Sequence, residues 1–264
     1  MLPLRDDTSS STKPYVVYWL IAVNIFVFIL QNLGLLDKFT MIPYSVLHNV
    51  RVALEMQYGR PILDHLGNPV FQALPMVGPH PQWITIFTSM FMHGSLMHIG
   101  GNMLYLWIFG NNIEDALGHV KFLFFYIFWG VLAAGAHIWS SGSGVSAFIP
   151  TLGASGAIAG VLGAYIVLYP KARIDTMLML GWFWDMIQIP AYYVLGVWFV
   201  LQLTGWLGTG GQVGGGVAYW AHIGGFVAGM ITMLILGRNR LLRGQQRRMR
   251  PSRPDRPYPW RPYK

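Results

Sequence analysis

Asp, Glu, Lys and Arg are missing from four long stretches of the chain: residues 14–36, 65–113, 122–170 and 186–237. The shortest is 23 residues and the others are 49, 49 and 52, whereas one helix crossing a bilayer needs roughly 20 mostly apolar residues. The pattern predicts spans at 15–36, 95–117, 122–139, 153–168, 189–207 and 219–236. Only Asn24, Gln31 and Asn32 interrupt the first; Glu114, Asp115 and Gly118 close the second; the short fourth ends at Pro170, Lys171 and Arg173. SSGSGVSAFIP (140–150) and the Gly-rich GTGGQVGGG (208–216) read as loops. The long connection between the first span and Trp83 holds Lys38, Arg51, Glu55, Arg60 and Asp64. Val46, Leu47, Val50 and Leu54 recur in it at helical spacing, which predicts an interfacial helix over 45–58.

Composition sharpens this picture. Apolar residues make up 54% and charged residues 11%, against about 25% charged in ordinary soluble domains. The basic excess is local: residues 238–264 hold ten basic residues and one acid, Asp255, while the other 237 residues hold eight basic and nine acidic groups. A segment of that kind forms no packed core and is expected to anchor topology against anionic lipid rather than bind nucleic acid. Six spans put both termini on one side, and Lys121, Lys171, Arg173 and the basic tail make that side cytoplasmic. The expected organisation is a cytoplasmic segment at 1–14, a six-span domain at 15–237 and a basic Pro/Arg-rich cytoplasmic tail at 238–264. The expected fold class is an all-α polytopic membrane protein with a long first outer loop. The first apolar run is too long, and lacks the small-x-small pattern, for a cleavable signal peptide. The chain has no cysteine, hence no disulfide framework, thiol nucleophile or Cys metal site. It has no H-E-x-x-H either, so no metal or cofactor is expected.

Polar residues inside spans are costly and therefore informative. His98 and Asn102 stand at i, i+4 near the start of span two, Ser155 near the start of span four, and His222 near the start of span six. These three spans run in one direction, which puts all four residues at one depth near the outer leaflet. Gly156, Gly160 and Ala164 form a small-residue stripe on span four, and Ala221, Gly225 and Gly229 form one on span six; such stripes let helix backbones approach closely in a membrane. A serine hydroxyl becomes a good nucleophile when a base takes its proton, and histidine is the usual base. No carboxylate shares this depth, so a Ser–His dyad fits better than a triad. Asn102, His98 and the Ser155 N–H are candidate donors to an oxyanion. Taken singly, each feature has a plainer reading: Ser155 as interhelical glue, His222 as a carbonyl-bonded imidazole, His98 and Asn102 as a structural pair. Their convergence favours chemistry. His93 reads as support for the loop into span two, Glu114 as a brace at the far end of that span, and His119 and His137 as interfacial or packing residues.

HGSLMHIGGNM (93–103), FGNNIEDALG (109–118), GASGAIAG (153–160) and AHIGGFVAG (221–229) together resemble the rhomboid family of intramembrane serine proteases. The resemblance covers the six-helix core and implies a six-span rhomboid-like bundle of the basic, prokaryotic-type form. It implies Ser155 as nucleophile and His222 as general base, with Asn102, His98 and the Ser155 N–H as oxyanion hole. It also implies Gly153 shaping the turn into the short fourth helix beside Gly156, and Glu114 as the structural acid of a G-x-x-x-E-x-x-x-G segment. Some bacterial members carry a Trp–Arg pair in the first loop; no such dipeptide occurs in that loop here. Some also place a Tyr four residues after the nucleophile to stack on the histidine; here that position is Ala159, which leaves the orientation of His222 to other contacts.

The implied activity is cleavage of transmembrane segments of other membrane proteins near the outer leaflet. The partners are transmembrane substrates and the lipid bilayer, with the oligomeric state open. A bacterial plasma membrane is the expected setting. Span five and the 208–216 loop are expected to move to admit substrate, because glycines lower the barrier to backbone rearrangement. A catalytically silent rhomboid-like protein that binds membrane clients is the alternative, and a transporter fits less well for want of an inverted repeat.

Overall fold

The computed structural model describes residues 2–249 apart from 9, 37–38, 50–51, 55, 58–59, 62–63, 66–69, 74–80, 143–144, 181–182 and 209–216. Its helices are α1 (Tyr15–Asn32), α2 (Pro43–His48), α3 (Thr85–Thr88), α4 (Leu96–Leu117), α5 (His119–Ser141), α6 (Ser155–Leu168), α7 (Ala191–Gly208), α8 (Tyr219–Leu236) and α9 (Arg238–Met249). Its strands are β1 (Leu2–Asp6), β2 (Val52–Leu54), β3 (Met56–Gln57), β4 (Arg60–Pro61), β5 (Phe71–Ala73), β6 (Arg173–Leu180) and β7 (Phe183–Pro190). The six spans read from the sequence are α1, α4, α5, α6, α7 and α8, and the protein is a helical membrane bundle. Helices α1, α5, α7 and α8 are each long and apolar enough to cross a membrane.

Helix α6 is the axis of the bundle. Its 14 residues rise only about 21 Å, well short of the ~30 Å hydrocarbon layer, so it cannot reach both faces of that layer. Every residue from Gly156 to Tyr165 is buried, as expected for a helix apolar on all sides, with α4, α5 and α8 packed around it. Glycine makes the α6–α8 contact possible. A β-carbon on Gly225 would overlap the Gly156 carbonyl, and one on Gly163 would overlap the Phe226 carbonyl. Larger residues would force the helices apart. By contrast α7 is loosely held: its buried residues, Ala191, Val194 and Leu195, all lie in its first two turns.

On the side away from the start of α6, three antiparallel strands form a sheet in the order β1-β6-β7. Neither this sheet nor its hairpin follows from the pattern of hydrophobic and polar positions. The Asp6 carboxylate at the end of β1 accepts hydrogen bonds from Asn112 of α4 and Tyr165 of α6, which pins the N-terminal segment under the bundle. Glu114 reaches across to a second helix. Its carboxylate accepts from the backbone N–H groups of Val16 and Val17 at 3.0 and 2.8 Å, capping α1, whose own N-cap Pro14 offers no side-chain acceptor.

Two expectations are corrected. The helix predicted over 45–58 stops at His48, because Asn49 adopts a left-handed conformation (φ 53°), and β2 then pairs with β5. The tail is not wholly coreless: residues 238–249 form α9, and Gln245 is buried there, donating to Asp115 at 2.7 Å and accepting from Tyr169 Oη at 2.8 Å. The Gly-rich 209–216 loop lies outside the described residues.

Candidate active site

Ser155 is the first residue of α6, where a backbone N–H has no partner within the helix. The turn that delivers it depends on Gly153, whose φ is +131° and whose N–H donates to the Ser89 carbonyl at 2.9 Å. A β-carbon there would stand 2.9 Å from His98 Cε1 and Nε2 and 3.6 Å from Ser155 Oγ. Gly153 is therefore fixed both by its backbone angle and by what crowds it.

Across the glycine seam, His222 of α8 approaches Ser155: its Nε2 lies 2.7 Å from Ser155 Oγ. The two residues are 67 apart in the sequence, and the close α6–α8 packing is what brings them within hydrogen-bond reach. His222 Nδ1 lies 2.8 Å from Gln202 Oε1 on α7. The Trp198 ring lies beside the imidazole, centroids 5.7 Å apart and planes at 37°. Position 159, which the resemblance left without an aromatic ring, is a fully buried alanine, and a β-carbon on Gly225 would lie 3.3 Å from its own. Trp198 brings a ring to His222 from α7 instead.

The donors face the same space. Asn102 is buried, and its Nδ2 has no hydrogen-bond partner among the described residues. His98 is held from both sides: its N–H donates to Ser95 Oγ, the cap of α4, at 3.1 Å, and Gly94 N–H donates to its Nδ1 at 3.4 Å. In the neutral ring that leaves the proton on Nε2, the nitrogen beside Gly153. Ser155, His222, Asn102, His98, Gly153 and Gly156 all line one cavity of about 660 Å³. No Asp or Glu among the described residues lines it.

His93 is buried, with its ring edge-on to His98 at 5.1 Å. Burial and the neighbouring His98 lower its pKa to about 4. Its backbone is clasped by Gln31 of α1, which accepts from His93 N–H at 2.8 Å and donates to its carbonyl at 3.3 Å. His137 lines the cavity and bonds Thr151 Oγ1 at 2.9 Å, while His119 contacts Glu114 on the opposite side. Gln202 and Trp198 were not singled out in the sequence; the available signal was a long polar side chain one turn after a Trp in an uncharged span.

The Rhomboid domain family matches residues 80–239, more than half of the chain. Rhomboid protein 1, mitochondrial, of Saccharomyces cerevisiae is 32% identical over 151 residues, which is 56% of this chain and 40% of that protein. The presenilin-associated rhomboid-like protein, mitochondrial, of Bos taurus is 30% identical over 163 residues, 61% of this chain and 34% of that protein. Rhomboid-like protein 11, chloroplastic, of Arabidopsis thaliana is 26% identical over 171 residues, 60% and 54% of the two chains. The chain thus spans about half or less of the length of these relatives.

Proposed function

The chain belongs to the rhomboid family, and from that premise we propose that it is an intramembrane serine endopeptidase that cleaves transmembrane segments of other membrane proteins through a Ser155–His222 dyad. The observation that carries this reading is the 2.7 Å contact between His222 Nε2 and Ser155 Oγ, made inside a cavity that also receives an unpartnered buried amide from Asn102.

In the reaction, His222 Nε2 takes the hydroxyl proton as Ser155 Oγ bonds to the scissile carbonyl carbon. The carbonyl oxygen becomes an oxyanion held by Asn102 Nδ2–H, His98 Nε2–H and the Ser155 N–H, with the positive end of the α6 dipole behind them. As the C–N bond breaks, His222 returns its proton to the leaving amine. Water gives a proton to His222 and adds to the acyl carbon; the acyl–Oγ bond then breaks and Ser155 Oγ takes that proton back from His222. Substrate gains access laterally past α7, whose loose packing beyond its first turns supports movement there. The dyad opens on the side opposite the basic tail, which the charge asymmetry of the loops and tail supports. The protein is an integral membrane protein; the bacterial plasma membrane expected from its six-span form finds no support in relatives whose names place them in mitochondria and chloroplasts.

The test is labelling of the purified full chain with a fluorophosphonate probe, comparing wild type with Ser155→Ala and His222→Ala. Labelling lost in both variants supports the dyad. A folded wild type that stays unlabelled, while a control serine hydrolase labels in the same detergent, favours the silent client-binding protein.

A further inference from the structure

The Gln202 side chain is committed at both ends. Its Nε2 donates to the Trp198 carbonyl one turn earlier on α7, at 3.1 Å, which fixes the amide so that Oε1 points at His222 Nδ1, 2.8 Å away. An amide oxygen only accepts. The Nδ1 nitrogen must therefore carry the proton, and Nε2 presents its lone pair to Ser155 Oγ. With the tautomers exchanged, Nδ1 and Oε1 would be two acceptors face to face and Nε2 would have no lone pair for the serine proton.

We propose that Gln202 is the positioning residue of the site, a neutral third member that sets the tautomer and aim of His222 from a helix carrying neither dyad residue. This rests on the dyad reading above. A carboxylate in this place would hold the imidazolium tightly; a neutral amide orients the ring without adding charge to a cavity that no Asp or Glu among the described residues lines. The titratable groups sharing that cavity with His222 are His98 of α4, His137 of α5 and Tyr105 of α4.

The experiment measures the rate of fluorophosphonate labelling against pH for detergent-solubilised full chain: wild type, Gln202→Leu and Gln202→Glu. Leu removes the acceptor at similar size, and labelling is expected to slow at least about 10- to 100-fold, the loss seen when a group that orients a metal-bound histidine is removed. Glu gives up the bond to the Trp198 carbonyl but still presents an acceptor to His222, so labelling persists above the Leu level. Its negative charge favours the imidazolium, so the acid limb of the profile moves up by roughly one pH unit or more. A Leu variant labelling within about twofold of wild type overturns the proposal. So does a Glu variant that slows as much as Leu, since that marks a packing role, or a Glu variant whose acid limb stays in place. Should Leu fail to fold, the retained rate and shifted limb of Glu decide alone. Wild-type labelling that survives Ser155→Ala would instead sink the dyad reading itself.

Discussion

A β-carbon added to Gly229 would overlap the carbonyl oxygen of Gly160, so α8 and α6 touch backbone to backbone at this point. Gly229→Ala has no flexible side chain to displace and must separate the helices. Overpacking of this kind costs typically 1–3 kcal/mol. The variant is expected to unfold at lower temperature in detergent. It should also label more slowly, because misplacing catalytic groups by ~1 Å costs on the order of 10²-fold. Thermal unfolding and probe labelling of one preparation check both.

Gly153→Ala separates chemistry from folding. The added methyl meets the His98 ring at 2.9 Å and inherits a φ of +131°, a region of backbone space that side chains rarely enter. Labelling of Ser155 should fall at least tenfold while the helical content seen by circular dichroism stays at the wild-type level.

Glu114→Ala leaves the Val16 and Val17 N–H groups without the acceptor that now takes both. Losing a helix cap costs about 0.5–2 kcal/mol. The melting temperature should drop, and labelling at low temperature should persist, since Glu114 sits at the far end of α4 from His98. Glu114→Gln, which keeps one acceptor oxygen, should fall between.

His93 predicts an acid-side weakness. Its folded-state pKa is lowered to about 4 from 6.5, so between those values the unfolded chain binds a proton that the folded chain refuses. Stability is flat above about pH 6.5 and declines as pH falls towards 4, by about 3 kcal/mol in all from this group. Melting temperature measured from pH 7.5 to 4.5 should show the decline, and His93→Phe should make it shallower.

The spans were legible because a charge inside hydrocarbon is costly, so uncharged runs mark them directly. Ser155, His222, His98 and Asn102 were legible for the converse reason: polar groups retained in such runs have work to do. The β6–β7 hairpin was not, since its Ile, Met, Leu and Trp residues run on into the apolar start of α7 and mimic it. Its partner β1 lies some 170 residues away, beyond any local pattern. Helix α9 was hidden by charge: all five prolines of the tail fall after residue 250, and the Leu, Arg and Gln before them are good helix formers. Gln202 escaped notice because its role depends on the rotation of α7 against α8.

The short α6 has one more consequence. The cavity at its start reaches down as far as Leu162, and below that Tyr165, Leu168 and Phe109 are fully buried and close the bundle. Water admitted to the dyad thus meets an apolar plug before the opposite face. Such a plug seals the base of the cavity, so water beside Ser155 and His222 gains no continuous polar path along α6 to the opposite face.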